Sequence, residues 1–368
     1  MDEKADAGMR IPALIIGGGP AGSAAAITLA QAGMKPHLLE RQAVARDGVC
    51  GGFLGWDALA ALGDLGVDPW ALGARPISRV RLVAGARTVE ADLPHIAAGL
   101  SRRVLDGALL DAAMAAGAMV ARGRAVRTVD PLAQTVQIDN GETIAAEGIF
   151  LATGKHELRG LHRQFDESSV GLRALLPPST ARLDALTGVV ELHLFDQGYA
   201  GLLVQEDGSA NLCLSVTRSR MNRAGNVAAL LEQLLIEAPL LADRLHGDVP
   251  ARFDAVAGVP YGWRARGGQK GIFRVGDQGA VIASLAGDGI AIALTSGASA
   301  AEAMLEGGPA AAFDWQRRLR RRCAKPLGIA EALRHGAAVP ATRGALMGLL
   351  RLMPRLGTGA AALTRISL

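Results

Sequence analysis

Three glycines carry the first chemical signal. They stand as Gly17-x-Gly19-x-x-Gly22, after the apolar run 13–16 and before an alanine-rich stretch that reads as a helix. In that setting Gly17 allows a tight turn, Gly19 lets backbone N–H groups approach a diphosphate, and Gly22 lets helix and strand pack closely. Pro20 and Ala21 lie at the start of the helix, whose N-terminus offers partial positive charge to phosphates. Glu40 closes the next apolar run, 23 residues past Gly17, where an acid accepts from ribose hydroxyls. These residues predict a nucleotide site but leave the nucleotide open.

The pattern returns about 260 residues later. Phe273-Arg274-Val275 reads as a strand ending in Gly276-Asp277, and the glycine loop Gly287-Asp288-Gly289-Ile290 opens a second helix. Again an acid is placed for a sugar hydroxyl, and a helix N-terminus faces something anionic. Two such turns imply one extended ligand gripped at both ends, which fits FAD better than NAD. Gly287, Gly289 and Ile290 then aim the second helix at flavin N1/O2, where negative charge grows on reduction.

A wider set goes with these turns: Glu40-Arg41, Cys50-Gly51-Gly52, the run Ser101-Arg102-Arg103-Val104-Leu105-Asp106, Ala152-Thr153-Gly154 and Gly276-Asp277. As a set they make the chain resemble the glutathione-reductase-type FAD superfamily. More narrowly, it is similar to the para-hydroxybenzoate-hydroxylase and geranylgeranyl-reductase branch, over about residues 11–306. The resemblance implies that Gly276-Asp277 contact the ribityl or pyrophosphate and that Glu40, followed by Arg41, holds the adenosine ribose. Thr153 and Gly154 complete the FAD contacts, and Cys50 and Gly51 lie near the isoalloxazine. An arginine at Arg102 or Arg103 lies against the cofactor; the other is a surface charge. No further glycine pattern follows a strand, so NAD(P)H is expected to visit the flavin without a domain of its own.

The resemblance also sets what to expect of the reaction. Prenyl reductases usually carry a Tyr-x-Trp-x-Phe-Pro-like strand, whereas this chain has Gly198-Tyr199-Ala200-Gly201-Leu202-Leu203. Flavin halogenases usually carry a Trp-x-Trp-x-Ile-Pro segment and a lysine near the flavin; neither is read here. Aromatic hydroxylases carry an Asp-Gly motif where this chain has Thr153-Gly154-Lys155-His156, and a proline where it has Ala283-Ser284-Leu285-Ala286. The leading expectation is an FAD-dependent monooxygenase acting through a flavin C4a-hydroperoxide on a hydrophobic or phenolic small molecule of secondary metabolism. A geranylgeranyl-reductase-like alkene reductase is the alternative, and a non-catalytic electron-transfer flavoprotein docking a partner is the second.

Cys50 and Tyr199 are the candidate catalytic residues. Cys50 is either a redox or substrate group, or a small residue packed beside the ring. Tyr199 and His193 share a face only if one strand runs unbroken through Gly198. Trp56, Trp263 and Arg264 are pocket candidates. Lys155 and His156 either meet a phosphate of NAD(P)H or form a solvated loop.

The elements that position these groups read as α/β, α+β overall. A Rossmann-like FAD domain is interleaved with an antiparallel-sheet substrate domain and followed by a helical tail. A β-α-β unit opens the chain. Strands at 80–83 and 88–93 form a hairpin, a helix spans 104–116, and strands follow at 118–129, 135–138 and 143–151. Period-2 strands at 189–195, 199–205 and 210–216 mark the second sheet, with Asp207-Gly208 as a tight turn. Helices are expected at 227–237, closed by Pro239, and at 288–304, with two more in the tail. The expected divisions are FAD domain at 1–78, 100–160 and 266–309, substrate domain at 79–99 and 161–265, and a basic helical region at 310–368.

Composition agrees. The chain has 368 residues, half of them apolar, with 47 glycines, which suits close helix–strand packing and argues against disorder. The net charge of +4 is uneven, with eleven Lys/Arg against two Asp/Glu in residues 310–368. Two readings stand for this basic tail: weak contact with anionic headgroups or an acidic partner, and a solvated helix face. Arg351, Pro354 and Arg355 argue against a membrane span at 344–363. Three cysteines show neither metal nor disulfide spacing, and residues 1–10 lack a signal-peptide pattern, so a cytoplasmic protein is expected. Nothing in the sequence points to nucleic acid or metal.

Overall fold

The computed structural model describes residues 10–165, 169–245, 247–352 and 365. Strand Ile11–Ile16 is buried from Ala13 onward, as a strand covered on both faces must be. His37–Glu40 runs parallel on one side of it and Thr143–Leu151 on the other. Met119–Arg122 extends the sheet past His37–Glu40, and Ile272–Arg274 pairs with Thr143–Leu151. The start of Thr143–Leu151 pairs antiparallel with Thr135–Ile138, which continues to Val126–Asp130. This is the Rossmann-like sheet expected from the sequence.

Two helices press together on one face of this sheet: Pro20–Gln31, after the first glycine turn, and Gly289–Gly307, after the second. Small side chains make that possible. A Cβ on Gly297 would overlap the Ala21 carbonyl, and Ala24, Ala25, Ala300 and Ala301 fill the seam. Because the helices touch near their starts, the two glycine turns are brought to one place.

The second sheet has eight strands. In spatial order they are Asp254–Val259, Ser169–Leu176, Ala210–Thr217, Gly198–Val204, Gly188–Phe195, Arg75–Ala84, Arg87–Gly99 and Phe53–Leu54. One face carries Leu172, Ala200, Leu202, Leu212, Leu214 and Val216, buried under helices Thr180–Leu186, Val227–Glu237 and Pro239–Leu245. The other face looks toward the Rossmann-like part. Its outer end is roofed by helices Ala324–Ala338 and Pro340–Leu352, whose Ala337 and Met347 pack on Leu194 and Tyr199.

Several elements differ from expectation. The stretch 118–129 is two strands, because Gly123, at φ +71°, breaks it and sends the halves to different neighbours. Ser169–Leu176 was not foreseen as a strand; its run of apolar residues has no alternation, yet it lies between two partners. The helix Val227–Glu237 ends just before Pro239 as expected, and Pro239 also opens the next helix, Pro239–Leu245, as proline does in a first turn. Gly188–Phe195 runs parallel to Arg75–Ala84, so the second sheet is mixed. Among the described residues the tail holds three helices, with Ala312–Arg322 the first. Trp315, Leu319, Cys323 and Leu327 join the main core, while Arg317, Arg318, Arg320, Arg321 and Arg322 line the exposed side. Among the described residues no helix is long and apolar enough to cross a membrane; part of the stretch 344–363 lies outside them.

Candidate active site

The first turn is shaped by backbone crowding. Gly17 has φ +107°, and a Cβ there would come within 2.5 Å of the Ala152 carbonyl oxygen. A Cβ on Gly22 would overlap the Gly17 carbonyl. Gly19 is different: its Cβ position meets only an Arg102 guanidinium nitrogen, at 3.3 Å. Gly17 and Gly22 are therefore required by the fold, and Gly19 leaves an open cradle beside a cation. Pro20 and Ala21 begin the helix, which has no side-chain cap, so its first N–H groups stay available to a ligand.

Glu40 grips this turn. Its carboxylate accepts from the Gly18 N–H and the Gln42 N–H, each at 2.7 Å. Arg41 donates to His156 Nε2 at 2.6 Å. The ambiguous arginine pair is resolved by helix phase. Ser101 caps helix Arg102–Ala115, and Arg102 turns inward against Gly19, held bidentately by Asp106 one helical turn on, at 2.7 and 2.8 Å. Arg103 turns outward to Glu206 and is half-exposed.

The second turn interlocks with the first. Gly276, at φ +56°, donates to Ser296 Oγ at 2.9 Å, and its Cβ position lies 3.1 Å from the Ala21 Cβ. Asp277 pairs with Lys155 Nζ at 3.3 Å. Two buried side chains tie this turn to the one at Thr153-Gly154. Gln278 donates to the carbonyls of Gly154 and His156, and Arg163 donates to those of Asp277 and Lys155. Thr153 donates to the His156 carbonyl, closing its own turn. Neither Gln278 nor Arg163 was legible, because each acts on a turn more than a hundred residues away in sequence or across a loop.

Gly287, at φ +77°, faces the Phe53 ring, and Gly289 has nothing within 4 Å of its Cβ position. Ile290 is buried in the core just beyond. Asp288 pairs with Arg365, whose guanidinium also lies 3.8 Å from the Trp56 ring centre.

The second sheet supplies the facing wall. Asn211 donates to the carbonyls of Cys50 and Gly51, and Arg173 reaches Asn211 at 2.8 Å and Asp47 at 2.9 Å. The Cys50-Gly51-Gly52 loop is thus pinned to the wall, with the Cys50 side chain in reach of Arg102. Tyr199 stands on the same wall beside Ser215. Tyr261, Ser215 and Ser284 form a hydroxyl chain, with Tyr261 Oη 3.2 Å from Ser215 Oγ and 2.8 Å from Ser284 Oγ. Burial raises both phenols above their ordinary range, Tyr199 well above. Burial likewise pushes the Cys213 thiol up to about 12.

The other pocket candidates fall elsewhere. His193 pairs across the hairpin with Ala200 and Leu194 with Tyr199, so His193 and Tyr199 point to opposite faces. His193 is buried against Glu191 on the helix-covered side. Trp263 donates to the Gln164 carbonyl and Arg264 to that of Arg320, so both serve loops. Lys155 faces Asp277 and His156 faces Arg41, so this is no free solvated loop.

This site suits FAD. It offers two glycine cradles, an acid beside the first, a half-buried cation over Gly19 and an acid at the second turn. The pyridine nucleotide-disulphide oxidoreductase family matches residues 12–164. Digeranylgeranylglycerophospholipid reductase 2 of Methanopyrus kandleri is 29% identical over 320 residues, 81% of this chain and 78% of that protein. Menaquinone reductase of Mycolicibacterium smegmatis is 26% identical, covering 81% and 77%. Among solved structures, the flavin-dependent brominase Bmp2 superposes with a TM-score of 0.78 at 16% identity, over 97% of this chain and 93% of that one. A geranylgeranyl bacteriochlorophyll reductase-like protein of Thermoplasma acidophilum gives 0.76 at 18%, over 98% and 94%. Residues 12–164 thus match a flavoenzyme family model, and the fold neighbours and curated relatives agree with the resemblance to the para-hydroxybenzoate-hydroxylase and geranylgeranyl-reductase branch that the motif set carries.

Proposed function

We propose that this FAD-dependent oxidoreductase saturates a carbon–carbon double bond in a hydrophobic, isoprenoid-type small molecule, with NAD(P)H as electron donor. The observation that carries the reading is the hydroxyl chain of Ser215, Tyr261 and Ser284, with Tyr199 beside Ser215 on the wall that carries Asn211, the residue holding the Cys50-Gly51 loop. Saturating an alkene takes a hydride and a proton, and bound FAD supplies the hydride. The chain's own task is to hold a proton donor and to exclude water. Tyr261 is oriented by Ser215 and Ser284. Leu192, Leu194 and Leu285, with Met347 of the roofing helix, make the surroundings of Tyr199 apolar. The curated relatives named above are both reductases, which supports this over the monooxygenase expectation.

Oxygenation is retained as the second reading on one observation. Strand Gly198–Val204 lacks the aromatic residues usual in prenyl reductases. Incubation with NAD(P)H and a polyprenyl substrate separates the two. A product that gains two hydrogen atoms, also without dioxygen, supports reduction. One that gains an oxygen atom from labelled dioxygen supports the second reading and overturns the first.

A further inference from the structure

Lys155 is the feature that the proposed reaction leaves unused. Its position is built rather than incidental. Its carbonyl accepts from the buried Arg163 at 3.1 Å, and the neighbouring carbonyls of Gly154 and His156 accept from the buried Gln278 at 2.8 and 2.9 Å. The same Arg163 holds the Asp277 carbonyl at 2.9 Å, and Glu157 holds Arg163 at 2.6 Å. With its backbone clamped, the side chain turns inward, and Nζ comes to 3.3 Å from Asp277 Oδ2. The titratable groups acting on the ammonium come from four separate segments: Asp277 at the second glycine turn, Cys50 on the pinned loop, Tyr261 on the wall, and Arg102 over the first turn. Lys155 Nζ therefore stands at the second glycine turn, which interlocks with the first through Gly276 and Ala21, where the resemblance places the flavin's ribityl or diphosphate.

We propose that Lys155 is a redox-tuning residue, whose positive charge favours the reduced over the oxidised flavin. The inference rests on the FAD reading and goes beyond it. A hydride from NAD(P)H brings FAD two electrons and one proton, releases the oxidised nicotinamide, and leaves the flavin with one added negative charge. A cation fixed beforehand stabilises that charge without reorganising. Asp277 does not cancel the effect in a comparison of variants. Removing Lys155 takes away one positive charge, so the Asp277 carboxylate is left uncompensated, and this single change opposes the reduced form. At an effective dielectric of about 20, one charge within about 10 Å changes the equilibrium at least tenfold. For a two-electron couple a tenfold change is about 30 mV.

The test compares full-length wild type with Lys155→Met, Lys155→Gln and Lys155→Arg, each checked for a native thermal transition. Affinities for oxidised and for dithionite-reduced FAD are measured without oxygen, together with the midpoint potential. In the Met and Gln variants the ratio of reduced to oxidised affinity should fall at least tenfold, with a matching drop in potential, and Arg should restore most of it. Equal loss of both affinities would make Lys155 a diphosphate grip and overturn the proposal. So would an unchanged ratio with a raised KM for NAD(P)H, which would make it a docking residue for the donor. Wild-type protein that binds no FAD would refute the underlying reading instead, and wild-type binding is measured first for that reason.

Discussion

The Asn211 side-chain amide donates to two consecutive carbonyls, Cys50 at 2.9 Å and Gly51 at 2.7 Å. One residue of the second sheet thereby fixes the loop that the family places beside the flavin. Asn211→Leu keeps the volume and removes both donors, leaving two carbonyls without protein partners. The change also removes the acceptor of the buried Arg173, so the expected cost is about 3 kcal/mol in urea unfolding, from three hydrogen bonds of about 1 kcal/mol each. The loop itself can be read by thiol alkylation. Cys213 and Cys323, each pushed up to about 12 by burial, are poor nucleophiles at mild pH, so labelling reports Cys50. Alkylation of Cys50 should quicken in the variant; an unchanged rate would show that Asn211 does not hold the loop.

Gly19 and Gly22 belong to one motif but should fail in different ways. A Cβ on Gly22 overlaps the Gly17 carbonyl, whereas a Cβ on Gly19 meets only a side-chain nitrogen at 3.3 Å. Gly22→Ala should lower the thermal midpoint sharply whether or not flavin is present. Gly19→Val should fold with an apo stability near wild type and yet purify without yellow colour, because its side chain fills the diphosphate cradle. A yellow Gly19→Val protein would displace the cradle from this turn.

The tail separates an enzyme from a docking flavoprotein. Trp315 donates to Ser299 at 3.2 Å, and its ring lies 5.8 Å from that of Phe273, beside the strand that leads to Asp277. Deleting residues 310–368 therefore strips the main core and the roof over Tyr199. Insoluble or flavin-free protein is the expected result. A soluble, yellow truncation that has lost only its association with a partner would instead favour the non-catalytic reading.

What the sequence disclosed follows physical range. The turns at Gly17 and Gly276 were legible because their geometry is set within a few residues and demands glycine. The choice of Arg102 over Arg103 needed only helix phase, which Ser101 as cap would have supplied. Whether His193 and Tyr199 share a face is decided by the Asp196-Gln197 turn. Gln197 sits at φ +61° in a place where glycine or asparagine would have announced a hairpin. Read as a hairpin, the pairing of Leu194 with Tyr199 follows and removes His193 from the wall. Asn211, Arg173 and Gln278 had no signal of this kind. Their partners are far along the chain, and a buried polar residue on a strand is indistinguishable in sequence from an exposed one.

The helix-covered face of the second sheet holds a buried charge with its own pH signature. Glu191 is fully buried and accepts from Arg81 at 2.6 Å, Arg244 at 3.0 Å and His193 at 2.8 Å; Arg81 also pairs with Glu90. Burial alone would raise this carboxyl, but the hydrogen bonds from His193, Arg244 and Arg81 outweigh it and bring it down to about 2, from 4.5 for the free side chain. A carboxylate depressed on folding stabilises the fold at pH values above its free value. That stabilisation is lost as the pH falls from 4.5 through about 2. The shift corresponds to about 3 kcal/mol. Glu191→Gln leaves Arg81 and Arg244 without their shared anion, so it should destabilise the protein at neutral pH by about 3–5 kcal/mol. It should also flatten the loss of stability on acidification within that window. Urea midpoints of the two proteins measured at neutral and at strongly acidic pH decide the matter. If the wild type and the variant lose stability in parallel on acidification, the carboxylate is not the group that titrates.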